Sequence, residues 1–287
     1  MSTVYLNGEY LLKEQATVSV DDRGFLLSDG VYEVMSAYRG RLFRMEQHMG
    51  RLQRGLEALR IEYDLVGLPD IHTRLIAANG FDTAEVAIVY LQITRGAAPR
   101  THHFPPEGTP PTVYAFSDVY VRPEMALWEQ GYEAITVPDH RWARVDIKSI
   151  GLLPNVLAQQ AAIDAGVTDA LLVREGIAME GSHNNVFAVL DGVVTTHPAT
   201  TQILHGVARA YVIELARELG IPVAERAVPL EEMRAADENT DATNRNKHCN
   251  RCRKRYVFKL VSFLFMECVG CRYFLRFARF FHPIGCC

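Results

Sequence analysis

Lys148 stands in Arg144-Val-Asp-Ile-Lys-Ser-Ile-Gly-Leu-Leu-Pro-Asn, an apolar-leaning stretch just ahead of a helix-like run. An amine in such surroundings becomes a nucleophile when burial lowers its proton affinity. Taken alone it reads as well as a surface lysine in a loop, since lysine is rarely buried. Glu180, in Met179-Glu-Gly-Ser-His-Asn-Asn, is an acid in a polar, glycine-containing turn beside a strand. Arg51 falls on a helical segment, where an arginine is ordinarily solvated, and Arg100 and His102 fall in a basic, proline-rich stretch that by itself reads as a surface loop. Far downstream, Cys249-Asn-Arg-Cys252 and Cys268-Val-Gly-Cys271 have the spacing of a four-cysteine zinc site.

These residues are carried by a chain of alternating strand and helix signals. Val4-Tyr-Leu and Tyr10-Leu-Leu flank Asn7-Gly8, the strongest short hairpin signal. Val31 to Tyr38 predicts a strand turned at Arg39-Gly40, and Leu52, Leu56 and Leu59 give Glu46 to Arg60 helical spacing. A second helix is expected over Asp70 to Ala78, closed by Asn79-Gly80. Strand composition returns at Glu85 to Thr94 and Thr112 to Val119, with Pro99 to Pro111 between them as a long loop of the kind that often carries function. The pattern restarts near Tyr120. Strands are expected at Tyr132 to Val137 and Ala170 to Arg174, with an amphipathic helix from Pro154 to Ala165 between them. A hairpin about Asp191-Gly192, a helix from Val207 to Leu219 and a strand-like Pro222 to Ala227 follow. This is an α+β pattern of short, mainly antiparallel strands in two lobes: a small α/β lobe over 1–120 and a larger, mainly antiparallel β lobe with helices over 121–238.

The 287 residues are 48% hydrophobic and 22% charged, which excludes collagen-like, coiled-coil and wholly disordered chains. A net charge of -4 and a pI near 6.2 argue against a nucleic-acid partner. No export signal opens the sequence and no apolar run approaches the roughly 18 residues of a membrane span, so a cytoplasmic protein is expected. The averages conceal a break. All six cysteines and seven of the thirteen phenylalanines follow residue 247, and that segment carries a net +7, leaving -11 on residues 1–247. So sharp a shift, after the polar run from Glu238 to Asn246, reads as a join, and 239–287 is treated as an atypical Cys/Phe/Arg-rich tail.

No single position is specific, but the series is. Asp22-Arg-Gly-Phe-Leu-Leu-Ser-Asp-Gly-Val-Tyr-Glu, His48-Met-Gly-Arg51-Leu, Lys148-Ser, Glu180-Gly-Ser-His-Asn-Asn-Val-Phe and Leu204-His-Gly-Val-Ala-Arg209 occur in that order. Together they resemble the fold-type IV family of pyridoxal phosphate enzymes, which includes D-amino-acid transaminases, branched-chain aminotransferases and aminodeoxychorismate lyases. The resemblance implies that Lys148 forms the Schiff base with the cofactor and shuttles the substrate proton. It implies that Glu180 faces the pyridine nitrogen and keeps the ring an electron sink, and that Arg51 grips the phosphate. Ser182 joins that cofactor-binding set, as do Gly206, Val207 and Ala208, whose backbone N–H groups at a helix start suit phosphate oxygens. Arg100 and His102 resemble the pair with which D-amino-acid transaminases trap the substrate α-carboxylate from the neighbouring subunit, together with the tyrosine that Tyr32 matches. The implied partners are an amino acid, such as D-alanine, and a 2-oxo acid, such as 2-oxoglutarate, bound by a homodimer.

Two departures stand out. The family usually has threonine where Ala208 stands, and it continues past Glu238 with a strand, a Thr/Ser-rich turn and a helix that 239–287 does not resemble. A frameshift, fusion or misread gene end explains that tail most economically. The competing readings are a zinc site at Cys249, Cys252, Cys268 and Cys271, which would make the protein a non-catalytic interaction module on a degenerate enzyme body, or membrane association through Tyr256 to Phe281.

Overall fold

A computed structural model of the chain describes residues 2–121, 131–236 and 256–258. The chain divides into two compact units, one of Met1–Arg122 with Ile147–Leu152, the other of Pro123–Asp146 with Leu153–Cys287. The short segment Ile147–Leu152, expected within the second lobe, therefore belongs to the first.

In the first unit, strands β1 (Thr3–Leu6) and β2 (Glu9–Leu12) form the Asn7-Gly8 hairpin, with Leu6 opposite Glu9. A short helix α1 (Arg23–Leu27) leads into β3 (Gly30–Tyr38), which turns at Arg39-Gly40 into β4 (Arg41–Leu42). Helices α2 (Met45–Leu59) and α3 (Leu68–Ala78) precede β5 (Ala87–Thr94) and β6 (Thr112–Val119). The sheet runs β2-β1-β6-β5-β3-β4, antiparallel in every pairing. Period-2 alternation puts Val31, Ala37, Val89 and Leu91 on one face, where they meet Leu52 and Leu56 of α2 and Leu75 and Ile76 of α3 in one core. The opposite face carries an aromatic ladder. Tyr32 stacks on Tyr90 at 5.7 Å between centroids, and Tyr90 on Phe116 at 5.1 Å.

The second unit is mainly antiparallel, as expected, with two parallel pairings. Strand β7 (Tyr132–Pro138), helix α4 (Leu153–Asp164) and β8 (Asp169–Arg174) bring β7 and β8 together in parallel, Ala134 opposite Asp169 and Pro138 opposite Val173. Strand β9 (Ile177–Gly181) returns antiparallel to β8. The hairpin of β10 (Ala188–Leu190) and β11 (Val193–Thr196) is followed by helix α5 (Val207–Glu218) and by β12 (Val223–Glu225), parallel to β11. Parallel neighbours require a crossover, and in each case the helix between the two strands supplies it. The remaining pairings are antiparallel: β13 (Val228–Pro229), just ahead of α6 (Leu230–Ala235), lies on β9, so the unit stays mainly antiparallel. The tail, from which no closing strand was expected, contributes β14 (Tyr256–Phe258), antiparallel to β7 with Tyr256 opposite Ala134. Tyr-Val-Phe is a strong strand composition, and an unpaired sheet edge accepts such a segment through its backbone alone.

Helix α4 is not amphipathic in the expected sense. Its small residues Ala158 and Ala162 pack on Ile135, Ala170 and Leu172, while Leu153, Val156, Leu157 and Ile163 stand 58–68% exposed. Alanines let the helix approach the sheet, and the large apolar side chains form the outward stripe. Among the described residues no helix is long and apolar enough to cross a membrane.

A charged cluster lies inside the first unit. Glu33, on the core face of β3, takes Arg51 Nε and Nη2 at 2.7 Å each and His48 Nδ1 at 2.8 Å. Burial alone would raise the Glu33 carboxyl, but the Arg51 and His48 bonds outweigh it and hold the group at about 2. A depressed carboxylate contributes stability above its unfolded pKa and loses it as pH falls towards the folded value. Glu33→Gln is expected to cost about 3 kcal/mol at neutral pH. In urea melts, the gap between parent and variant should shrink as pH falls from about 4.5 towards 2. A gap that stays constant over that range would show that the carboxylate charge does not carry the effect.

Candidate active site

In the first unit, Lys148 is fixed beside β3 by its backbone. The Tyr32 N–H donates to the Lys148 carbonyl at 3.0 Å, Ser149 bridges to Val31, and the Ile150 N–H donates to Gly30 at 3.2 Å. Its half-buried amine lies 4.2 Å from the centre of the Tyr32 ring. The sequence placed Lys148 and Tyr32 more than a hundred residues apart, and the fold brings them into contact. Burial, with Tyr32 and Tyr114 nearby, pushes the Tyr90 phenol up to about 12. Arg51 presents its guanidinium to Glu33, so an anion here would share an arginine already oriented from behind. Arg100 and His102 are exposed on the loop between β5 and β6.

In the second unit, Glu180 lies within β9, correcting its expected place in a turn. It is buried and ringed by donors: Arg141 Nη1 on Oε1, Asn185 Nδ2 on Oε2 at 2.8 Å, and the Leu204 N–H on Oε2 at 3.1 Å. Burial pushes its carboxyl upwards against the opposing pull of Arg141. A carboxylate of raised proton affinity is a stronger acceptor for a heteroaromatic N–H. Arg141 is itself held by Asp139, through Nε at 2.8 Å and Nη2 at 2.9 Å.

Asn185 also donates to the Leu204 carbonyl at 2.9 Å, tying the end of β9 to the turn before α5. Gly206 is the N-cap of that helix, and no side chain caps it. A Cβ there would fall 2.0 Å from Asn185 Oδ1, so glycine is required where the turn passes the asparagine. The Val207 and Ala208 N–H groups open a twelve-residue helix, a setting that suits a phosphate. Ser182 faces elsewhere. Its hydroxyl bonds Asp169 and Gln159 at 2.6 Å each and its N–H meets Asp169 at 3.2 Å, a buried brace at the end of β9.

Within the second unit, the buried acid and the uncapped helix start suit a ring N–H and a phosphate; within the first, an amine stands beside a tyrosine. Sequence reasoning quoted Glu33, His48 and Asn185 within motifs without giving them work, and it passed over Asp139 and Arg141. An Asp-x-Arg step directly after a strand was the available signal. Cys249, Cys252, Cys268 and Cys271 lie outside the described residues. Among those that are described, no group of three or more His, Cys, Asp or Glu is placed to hold a metal.

The family described as Amino-transferase class IV matches residues 30–239. D-Alanine aminotransferase of Staphylococcus epidermidis is 40% identical over 240 residues, covering 83% of this chain and 84% of that protein. Among solved structures, a branched-chain aminotransferase from Thermoproteus uzoniensis superposes with a TM-score of 0.72 at 29% identity, covering 82% of this chain and 81% of that one. A 4-amino-4-deoxychorismate lyase from Pseudomonas aeruginosa does so at 0.70 and 26%, covering 82% and 84%. With the matched segment reaching into both units and including Arg51, Lys148, Glu180 and Gly206, the chain belongs to the class IV aminotransferases and is a pyridoxal phosphate-dependent aminotransferase of the fold-type IV architecture.

Proposed function

We propose that the protein transfers the amino group of a D-amino acid, such as D-alanine, to a 2-oxo acid, such as 2-oxoglutarate. The observation that carries this reading is the exposed Arg100-Thr101-His102 run on a loop anchored to its own unit, in a chain 40% identical to a D-alanine aminotransferase. Arg100 and His102 offer paired donors to an α-carboxylate, and Tyr32 presents its ring beside Lys148.

When bound, pyridoxal phosphate supplies an electron sink that makes the α-hydrogen of an amino acid acidic. The chain does the rest. Lys148 would hold the cofactor through its amine, and that amine, beside Tyr32, would carry the proton of the substrate α-carbon. Glu180 accepts the ring N–H, with Arg141 and Asn185 holding the carboxylate in place. Two groups would suit the phosphate, each described within its own unit: Arg51, oriented by Glu33 in the first, and the Val207 and Ala208 N–H groups at a helix start in the second. Ser182 supports this set by bracing β9, so its contribution to cofactor binding runs through the backbone of Glu180.

The outward side of α4 supports a homodimer, since Leu153, Val156, Leu157 and Ile163 are all largely exposed there. An enzyme that draws on 2-oxo acids fits the cytoplasm. The division into a small lobe and a larger one, proposed at 1–120 and 121–238, is supported by two compact units, Met1–Arg122 with Ile147–Leu152 and Pro123–Asp146 with Leu153–Cys287.

Three outcomes are expected. Lys148→Ala abolishes the borohydride-fixable attachment of the cofactor and lowers turnover by at least about 10²–10⁴-fold; a reducible adduct surviving in that variant overturns the lysine's role. Assayed with D-alanine, L-leucine and aminodeoxychorismate, the purified enzyme turns over D-alanine, and a preference for either of the others reassigns it within the family. Leu157→Glu converts a dimer to monomer by sedimentation, and an unchanged sedimentation profile removes α4 from the interface.

A further inference from the structure

The side chains of Arg100 and His102 stand in solvent, yet the backbone between them is held from inside the first unit. Arg23, 3% exposed on α1, donates through Nη1 to the Thr101 carbonyl at 2.9 Å. Its Nε meets Asp29 Oδ2 at 2.9 Å, so the same guanidinium is fixed at both ends. Asp29 is gripped a second time by Arg95, at 2.8 and 3.0 Å, and Arg95 also donates to the carbonyls of Leu59 and Arg60 at the end of α2. Burial would raise the Asp29 carboxyl, but its bonds to Arg95 and Arg23 keep it below the ordinary range. Beyond His102, the Phe104 ring lies 3.9 Å from Arg95 Cζ and 5.0 Å from Arg60 Cζ, closing the loop onto the same cluster. At the base of the loop, Gly96 sits at φ +88°, and a Cβ there would fall 1.9 Å from the Pro110 carbonyl oxygen.

We propose that Arg23, locked by Asp29 and Arg95 and backed by Phe104, is a positioning residue that holds the Arg100–His102 segment in its carboxylate-binding conformation. The proposal rests on the reading of Arg100 and His102 as the carboxylate site. Exposed arginine and histidine side chains have many rotamers. A backbone fixed between them removes part of the ordering that binding would otherwise require. The energy of the buried Arg23–Asp29–Arg95 cluster is thereby expressed as affinity for the substrate carboxylate.

Arg23→Lys keeps the charge beside Asp29 but cannot bond Asp29 and Thr101 at once. In the holoenzyme it should raise KM for both D-alanine and 2-oxoglutarate about tenfold with kcat little changed, as expected for lost uniform binding. In the cofactor-free chain it should speed tryptic cleavage after Arg100 relative to other sites, at an unaltered melting temperature. Phe104→Ala, a half-exposed change that leaves the buried cluster intact, should move both readouts in the same direction by less. It decides the matter if Arg23→Lys fails to fold. Arg100→Ala separates the two levels of argument. Should it raise KM while neither Arg23→Lys nor Phe104→Ala alters KM or cleavage, the clamp is wrong and the carboxylate site stands. Should Arg100→Ala leave KM unchanged, the carboxylate reading falls and takes the clamp with it.

Discussion

Asp29, Glu33 and Glu180 are carboxylates taken largely out of water, and each is met there by a guanidinium: Arg23 and Arg95, Arg51, and Arg141. An unpaired buried charge costs several kcal/mol, so each carboxylate obliges the fold to deliver its arginine to one place. The obligation runs across elements. Glu33 on β3 fixes the rotation of α2 through Arg51, and Asp29 ties the end of α1 to the end of α2 and to the loop after β5. Such pairs contribute little net stability against apolar packing of equal volume, but they hold geometry well, because any displacement strands a charge.

Geometry of that kind is what amino-group transfer needs. A bound ring must be held by its phosphate, its nitrogen and its aldehyde at once. The second unit fixes the spacing between the nitrogen partner and the helix start with a single side chain: Asn185 bonds Glu180 and the Leu204 carbonyl together and crowds Gly206. Parallel strands β7 and β8, joined by α4, give β9 a neighbour buried over most of its length, and within this sheet the burial of Glu180 raises its carboxyl. A turn, open to water, would have left it an ordinary acid.

The sequence was legible where local chemistry dictates structure. Asn7-Gly8 made its hairpin, Leu52, Leu56 and Leu59 marked α2, and the ordered motifs led to the right family. It was opaque where partners come from afar. Nothing local to Tyr132–Pro138 says that its neighbour is parallel, and nothing in Glu180-Gly-Ser distinguishes the end of a buried strand from a solvated turn. Periodicity found α4 and read it as amphipathic, but its buried side is made of the small Ala158 and Ala162 and its larger apolar residues face outwards. The arginine pairs were invisible for the same reason. Arg23 and Arg95 are seventy residues apart, and their shared carboxylate appears only when the chain is folded.

The tail shows the same division between side-chain and backbone information. The family match ends at residue 239, and the letters beyond it resemble nothing expected there. Yet β7 would be an edge strand without the tail, and Tyr256–Phe258 pairs with its open row of backbone groups in register. That demand is made in peptide N–H and C=O groups, which every non-proline residue carries, so it can be met by a sequence with no family likeness. A motif comparison reads side chains and is blind to it. Sheet pairing at β7 is therefore a demand of the backbone, distinct from the side-chain motifs by which the family is read.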